Sequence, residues 1–283
     1  MDMSDAGDGM DQMIHIEKTW YKVEPDDEVK LSGIPSYVGE DSQKTSYDST
    51  HARLSRQLTE LQDLLYADQS QALLVVLQAM DACGKDSTIR RCFGMLNPQR
   101  CRTHSFKEPT RHEQRRDFLW RVHARTPAKG TIGVFNRSHY EAVLVEKVRE
   151  LSPPHVIEKR YHHINGFEAM LADEGTTVIK FYLHAGKQYQ KKRLERRIRR
   201  PDKRWKFNRN DLTERRYWDD YMRAYENVFS RCSTERAPWY IVPSERRWYR
   251  DIVIMQTLVE HLRALNLKMP QPDIDLESIT IPD

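Results

Sequence analysis

The stretch "ALLVVLQAMDACGKDST", residues 72–88, decides the fold. Its first six residues are apolar with no polar alternation until Gln78, which predicts a strand buried on both faces, as in a parallel sheet. A turn follows over 79–84, and a helix is predicted from Lys85 to Leu96. Strand, glycine-bearing turn and helix form the context of a phosphate-binding loop, whose usual pattern is Gly, four residues, Gly-Lys, then Ser or Thr. Gly84 and Lys85 fit that pattern. Ala79 stands at the first Gly position and Asp86 at the Ser/Thr position.

The flanking sequence repeats the alternation. Buried strands are predicted near Thr103 and over 131–136, 177–183 and 239–243. Helices are predicted over 48–68, 112–126 (closed by Pro127), 138–151, 161–174 (stopped by Gly175), 187–232 in two parts broken around 201–211, and 248–265. Strands alternating with helices imply an α/β fold with three α/β/α layers and a parallel five-stranded sheet. Residues 1–12 are expected to be disordered, and 21–46 to form an ordered arm on the surface. A single domain is expected over 13–268, followed by a polar tail over 269–283.

The 283 residues suffice for a sizeable core, and 31% charged with 39% apolar residues is a soluble composition on the hydrophilic side. No run of about 18 apolar residues exists to span a membrane. The acidic opening "MDMSDAGDGMDQM" lacks a basic, then apolar, leader, so cytoplasm is the expected location. Cys83, Cys92, Cys101 and Cys232 make no CxxC pair, so reduced thiols are expected. The formal net charge of +4 hides an asymmetry. Residues 187–216 hold fourteen Lys/Arg against four Asp/Glu, a net +10, and the rest of the chain is net −6. One segment therefore carries a local polyanion site.

In a parallel sheet, ligands gather beyond the carboxyl ends of the strands, so the loops after the strands share one edge. At the first, the backbone amides of Ala82, Cys83, Gly84, Lys85 and Asp86 open a helix and can hold anionic oxygens, and Lys85 adds a point charge. Asp81 puts a negative charge inside this anion site. It reads either as a carboxylate for a Mg2+ bridged to phosphate oxygens or as an Asx-type turn. After the third strand come Asn136 and Arg137, the latter able to clamp a phosphoryl oxygen. Glu141, a helical turn on, reads as a second metal-side carboxylate or as the partner of Arg137. Lys107 follows the second strand. The basic segment overhangs the same edge with Lys192, Arg193, Arg196, Arg197, Lys203 and Lys206. A polyanion gains affinity there through counterion release. Nucleic acid is disfavoured, because Trp205 and Phe207 make a thin stacking platform.

Together, "LQAMDACGKDSTIR", "NPQ", "HSFKEP", "DFLWRVH", "GVFNRSHYEAVLVEKV", "RPDKRWKF", "WDDYMRAYE" and "STERAPWYIVPSERRWYR", in this order over about 20–265, resemble the family-2 polyphosphate kinases. The resemblance implies a P-loop kinase fold with a helical basic lid over about 187–216. It implies a Mg2+-dependent, reversible transfer of a phosphoryl group between inorganic polyphosphate and a nucleoside mono- or diphosphate. It casts Asp81, Lys85, Arg137 and Glu141 as catalytic, with Asp81 and Glu141 holding the metal and the lid bases near Arg193 contacting the phosphate chain. The form "FNRSHYE" resembles the branch that phosphorylates AMP as well as ADP. Relatives form dimers or tetramers, and residues 218–229 offer a packing face. The sequence departs from the family pattern at Ala79 and Ser87 (often Gly), Ala142 (often Asp) and Gly186 (often Ser). The missing carboxylate at 142 is expected to weaken Mg2+ binding or to change the preferred acceptor. A binding protein for polyphosphate or nucleic acid with weak or no turnover is the alternative reading.

Overall fold

The computed structural model describes residues 22–272, 279, 281 and 282. Five strands run parallel: β2 (Ala72–Gln78), β3 (Cys101–Ser105), β4 (Ile132–Asn136), β5 (Thr176–His184) and β6 (Trp239–Pro243). A sixth, β1 (Lys22–Val23), pairs antiparallel with β6 and comes from the N-terminal arm. The expected five-stranded parallel sheet is thus a six-stranded mixed one, in the order β1-β6-β5-β2-β4-β3. A two-residue strand leaves no periodic signal, which is why the arm hid it.

Every residue of β2 is buried, as an apolar run without alternation requires, so both faces of the sheet centre are covered. One group of helices, α1 (Tyr47–Asp68), α2 (Lys85–Cys92) and α10 (Arg247–Ala264), packs together. The other contains α5 (Val145–Val148), α6 (Pro154–Asp173) and α9 (Trp218–Cys232). The apolar face of α9 is consumed inside the chain. Tyr225 and Phe229 pack their rings at a tilt against Tyr182, Phe229 also meets Trp239, and Trp218, Tyr221 and Val228 are buried.

The arm is more than a surface wrap. Val23 and Leu31 enter the core, Ser233 donates to the Val23 carbonyl at 2.6 Å, and His184 Nε2 meets the Ile34 carbonyl at 3.0 Å. The segment 1–12 lies outside the described residues, as does most of the 269–283 tail.

Helix α2 ends at Cys92 and not at the expected Leu96, and three further helix expectations need correction. Residues 112–126 form two short helices, α3 (Arg111–Gln114) and α4 (Trp120–His123), because Asp117 takes the amides of Leu119 and Trp120 in an Asx-type turn between them. Residues 138–151 form only a 3-10 turn, His139–Ala142, and α5, because Arg160 takes the Ala142 carbonyl at 2.8 Å. Helix α6 starts seven residues before the expected 161, at Pro154, where a missing N–H costs nothing. The basic segment resolves into α7 (Lys187–Arg199), a 3-10 turn (Pro201–Lys206) and α8 (Arg209–Arg216) before α9.

Phe229 is completely buried between the sheet and Tyr225. Phe229→Ala is expected to lower the unfolding free energy by about 3–5 kcal/mol, measured by urea denaturation.

Candidate functional site

The sheet order reverses at β2, which has β5 on one side and β4 on the other. The loop that leaves β2 therefore sits at the switch point, where an open α/β sheet has its crevice. Its backbone is unusual. Ala82 (φ 64°) and Gly84 (φ 116°) are both left-handed, and alternation of hand turns successive amides toward one concavity, an anion nest. At Gly84 a side chain has no room, since a Cβ would lie 2.6 Å from Arg250 Nη1. Ala79 and Ser87, the two departures from the family's glycines, are absent from the positive-φ positions and need no glycine. Ser87 instead donates to the Gly84 carbonyl at 2.8 Å.

Lys85 is buried and folds back over the loop, donating to the Ala79 carbonyl at 2.7 Å, with Asp81 Oδ1 3.8 Å away. Asp81 accepts Arg137 Nη2 at 2.5 Å. Burial alone would raise the Asp81 pKa, but the positive charges of Lys85 and Arg137 outweigh it and hold the carboxyl below the usual range. Burial draws the Lys85 ammonium downward, with Asp81 opposing it.

Arg137 reaches Asp81 because its own backbone is left-handed, φ 62°, where β4 ends. Glu141 Oε2 lies 3.8 Å from Arg137 Nη1, so the two are neighbours as expected. The helix expected to join them is absent. Ser138 is extended and a 3-10 turn follows, so the contact crosses a bend and not a helix face. Asn136 Nδ2 donates to Asp86 at 3.1 Å, and Lys206 lies 3.8 Å from the same carboxylate.

The basic segment covers this cluster. Gln190 on α7, fully buried, donates to the Asp81 carbonyl at 2.9 Å and accepts Arg215 at 2.8 Å. Arg197 pairs with Asp211 at 2.8 Å, and its charge is felt at Asp81. Burial, reinforced by the nearby Asp81, raises the Asp211 pKa. Arg193 is half-buried, and its charge is felt at Cys83 in the loop.

The structure thus brings together Asp81, Lys85, Asp86, Asn136, Arg137, Glu141, Arg193, Arg197 and Lys206. It does not bring in Lys107, whose side chain is exposed while Arg121 takes its carbonyl at 2.6 Å. Lys192 and Arg196 are exposed one position round α7, and Lys203 pairs locally with Asp202 at 3.2 Å. Sequence reasoning missed Gln190, Asp211, Arg215 and Arg250. Asp211 carried a faint signal as an acidic residue in a basic run. The other three act through contacts 25 or more positions away in the chain and left none.

Ala142 is buried, and its geometry is held through its carbonyl. Gly186 opens α7. Its amide donates to Glu245 Oε1 at 2.9 Å, and a Cβ would sit 3.2 Å from that oxygen, so the serine common there would press on this bond. Among the described residues no group of three or more His, Cys, Asp or Glu could hold a metal, and no helix is long and apolar enough to cross a membrane. Cys83, Cys92, Cys101 and Cys232 are free thiols.

The family model for polyphosphate kinase 2 matches residues 41–270. The chain is 48% identical over 264 residues to the AMP/ADP-polyphosphate phosphotransferase of Meiothermus ruber, covering 92% of this chain and 98% of that protein. It is 38% identical over 274 residues to the ADP-polyphosphate phosphotransferase of Rhodopseudomonas palustris, covering 90% and 93%. The crystal structure of polyphosphate kinase 2 from Arthrobacter aurescens TC1 superposes with a TM-score of 0.85 at 40% identity, over 88% of this chain and 90% of that one.

The Asp81 carboxyl, depressed in the folded state, contributes stability above its ordinary pKa of 3.8 and loses it as pH falls through the folded value. The Tm difference between the wild type and Asp81→Asn is therefore expected to be widest above about pH 5 and to close below about pH 4, read by thermal melts across pH.

Proposed function

The chain belongs to the polyphosphate kinase 2 family, and from that premise we propose that it transfers a phosphoryl group, reversibly and with Mg2+, between inorganic polyphosphate and AMP or ADP. The observation that supports this most is the meeting of Lys85, Asp81, Arg137 and Glu141 at the sheet's switch point, under a lid rich in cations.

The loop amides from Ala82 to Asp86 and the Lys85 ammonium receive the phosphate being transferred. Taking it up exchanges the neutral Ala79 carbonyl at Lys85 Nζ for an anionic oxygen, a stronger charge-assisted bond. Arg137 stabilises the charge spread over the equatorial oxygens of a loose transition state. Arg193, Arg197 and Lys206 hold the chain and, with the lid above the loop, exclude water that would hydrolyse it. An acceptor phosphate can attack in line, so no covalent enzyme intermediate is required.

Asp81 and Glu141 fit the metal. Mg2+ takes one or two protein carboxylates and completes its shell with phosphates and water, so a pair without a third ligand suits it and would not suit zinc. When bound, the ion neutralises charge on the phosphate oxygens. The same proposal includes a cytoplasmic location and a homodimer or homotetramer. The aromatic face of α9 is not the subunit contact, since it is buried in the chain's own core.

Purified protein incubated with polyphosphate, Mg2+ and AMP or ADP is expected to form ADP or ATP. Tight polyphosphate binding without transfer to either acceptor would favour the binding-protein alternative. Lys85→Ala is expected to lower kcat/KM by about 10²–10³, in the range seen on removing one group that stabilises a transition state; wild-type turnover would remove Lys85 from its role. For the lid, Arg193→Ala with Arg197→Ala is expected to raise the KM for polyphosphate and to flatten its dependence on salt, measured from 50 to 200 mM.

A further inference from the structure

The turn that carries Arg137 and Glu141 stands on a buried polar cluster. His139 and Tyr140 lie between those two residues in the sequence, and their side chains are buried in the core. There Glu168 of α6, 1% exposed, collects three bonds on its carboxylate. Oε1 meets His139 Nε2 at 3.1 Å and accepts the Tyr140 hydroxyl at 2.9 Å, and Oε2 accepts Lys180 Nζ at 2.5 Å. Lys180 of β5, 0% exposed, spends its remaining donors on the Tyr140 hydroxyl at 2.9 Å and the Cys232 carbonyl at 2.6 Å. The ammonium's three protons are thereby satisfied.

We propose that the Glu168–Lys180 pair, acting through His139 and Tyr140, is the positioning element that fixes Arg137 and Glu141 over the phosphate loop. The inference rests on the polyphosphate phosphotransferase reading above. Two considerations carry it. Stability alone does not require these charges, because well-packed apolar residues in place of a buried ion pair are often as stable or more so. In addition, Arg137 has a left-handed backbone that no L side chain prefers, and such a conformation persists only where its surroundings over-determine it. The cluster grips the two residues that follow Ser138, so it controls both the bend and the direction in which Arg137 leaves β4. His139 Nδ1 has no hydrogen-bond partner, and the ring is held by Glu168 and by its contacts with Phe167 and Tyr140. Among the described residues, none of the four makes a side-chain hydrogen bond or ion pair to the phosphate loop. They are positioning residues and not catalytic ones.

The test compares the wild type with Glu168→Leu/Lys180→Met, which removes the pair without leaving a lone charge, and with Tyr140→Phe, which removes one hydroxyl. Melting temperature and circular dichroism establish that each variant is folded. Amide exchange over 137–142, followed by mass spectrometry, is expected to be at least about tenfold faster in the double variant, while β5 and α6 stay protected. Turnover with polyphosphate and ADP is expected to show kcat down by about 100-fold, the usual cost of a misplacement near 1 Å, with the KM for polyphosphate unchanged because the lid is intact. Tyr140→Phe is expected to show the same pattern at about tenfold. Wild-type exchange in the turn overturns the proposal, as does wild-type kcat in either folded variant. Should the wild type itself not transfer phosphate, the phosphotransferase reading falls, and the exchange measurement alone decides the role of the cluster.

Discussion

A carboxylate stands inside a loop shaped to hold anions, and the arrangement around it follows from that conflict. Asp81 lies between the nest at Ala82–Gly84 and the cations of Lys85 and Arg137. Left alone it would repel phosphate and would also be costly to bury. Both costs are met by bringing two positive groups to one oxygen. That requires Lys85 to fold back across the loop and Arg137 to leave β4 in an unfavourable backbone conformation. A carboxylate held ionised at a phosphate site is also what a divalent ion needs. Under the proposed metal role of Asp81, the Ser/Thr that ligates the metal in the ordinary loop is not needed, and Asp86 can stand in its place.

The conflict is resolved by a frame below the loop as well as by charges above it. Arg250, buried on α10 and paired with Asp251 at 2.5 Å, fills the space where a side chain at position 84 would go. Asp251 also accepts Arg91 of α2 at 2.6 Å, so the helix that the loop opens is tied to the closing helix of the chain. From above, Gln190 binds the backbone of Asp81 and not its side chain. The lid can therefore register the loop's position without competing for the carboxylate.

What was legible in the sequence was what local chemistry writes directly. The apolar runs of β2, β4, β5 and β6 announced a parallel sheet, and Gly84-Lys85 after a buried strand announced the loop. The sheet-edge rule then gathered Asn136, Arg137 and the basic segment without a single measured distance. What was not legible depended on partners distant in the chain. The period of 138–151 is compatible with a helix, and it fails because Arg160 takes the Ala142 carbonyl that a helix would use, while Glu168 holds the side chains of His139 and Tyr140 in the core. Lys180 read as one polar residue in a strand, and nothing nearby in sequence marks it as half of a buried ion pair. Lys107 failed for the opposite reason. Its position after a strand was right, but β3 is an edge strand with exposed side chains, and the edge lies away from the switch point.

In the proposed reaction, Ala142 bears on the charge the acceptor meets. An alanine there adds no carboxylate to Asp81, Asp86 and Glu141. The local balance shifts toward positive charge relative to relatives with an aspartate, because Lys85, Arg137, Arg193 and Arg197 all remain. Under the proposed phosphotransferase reaction, a more positive site is expected to favour the acceptor that carries more phosphate charge, ADP over AMP. Arg160 holds residue 142 through its carbonyl, so that contact does not depend on the side chain it bears. The electrostatic effect on the ratio of ADP to AMP turnover should weaken as salt screens the partly exposed cluster.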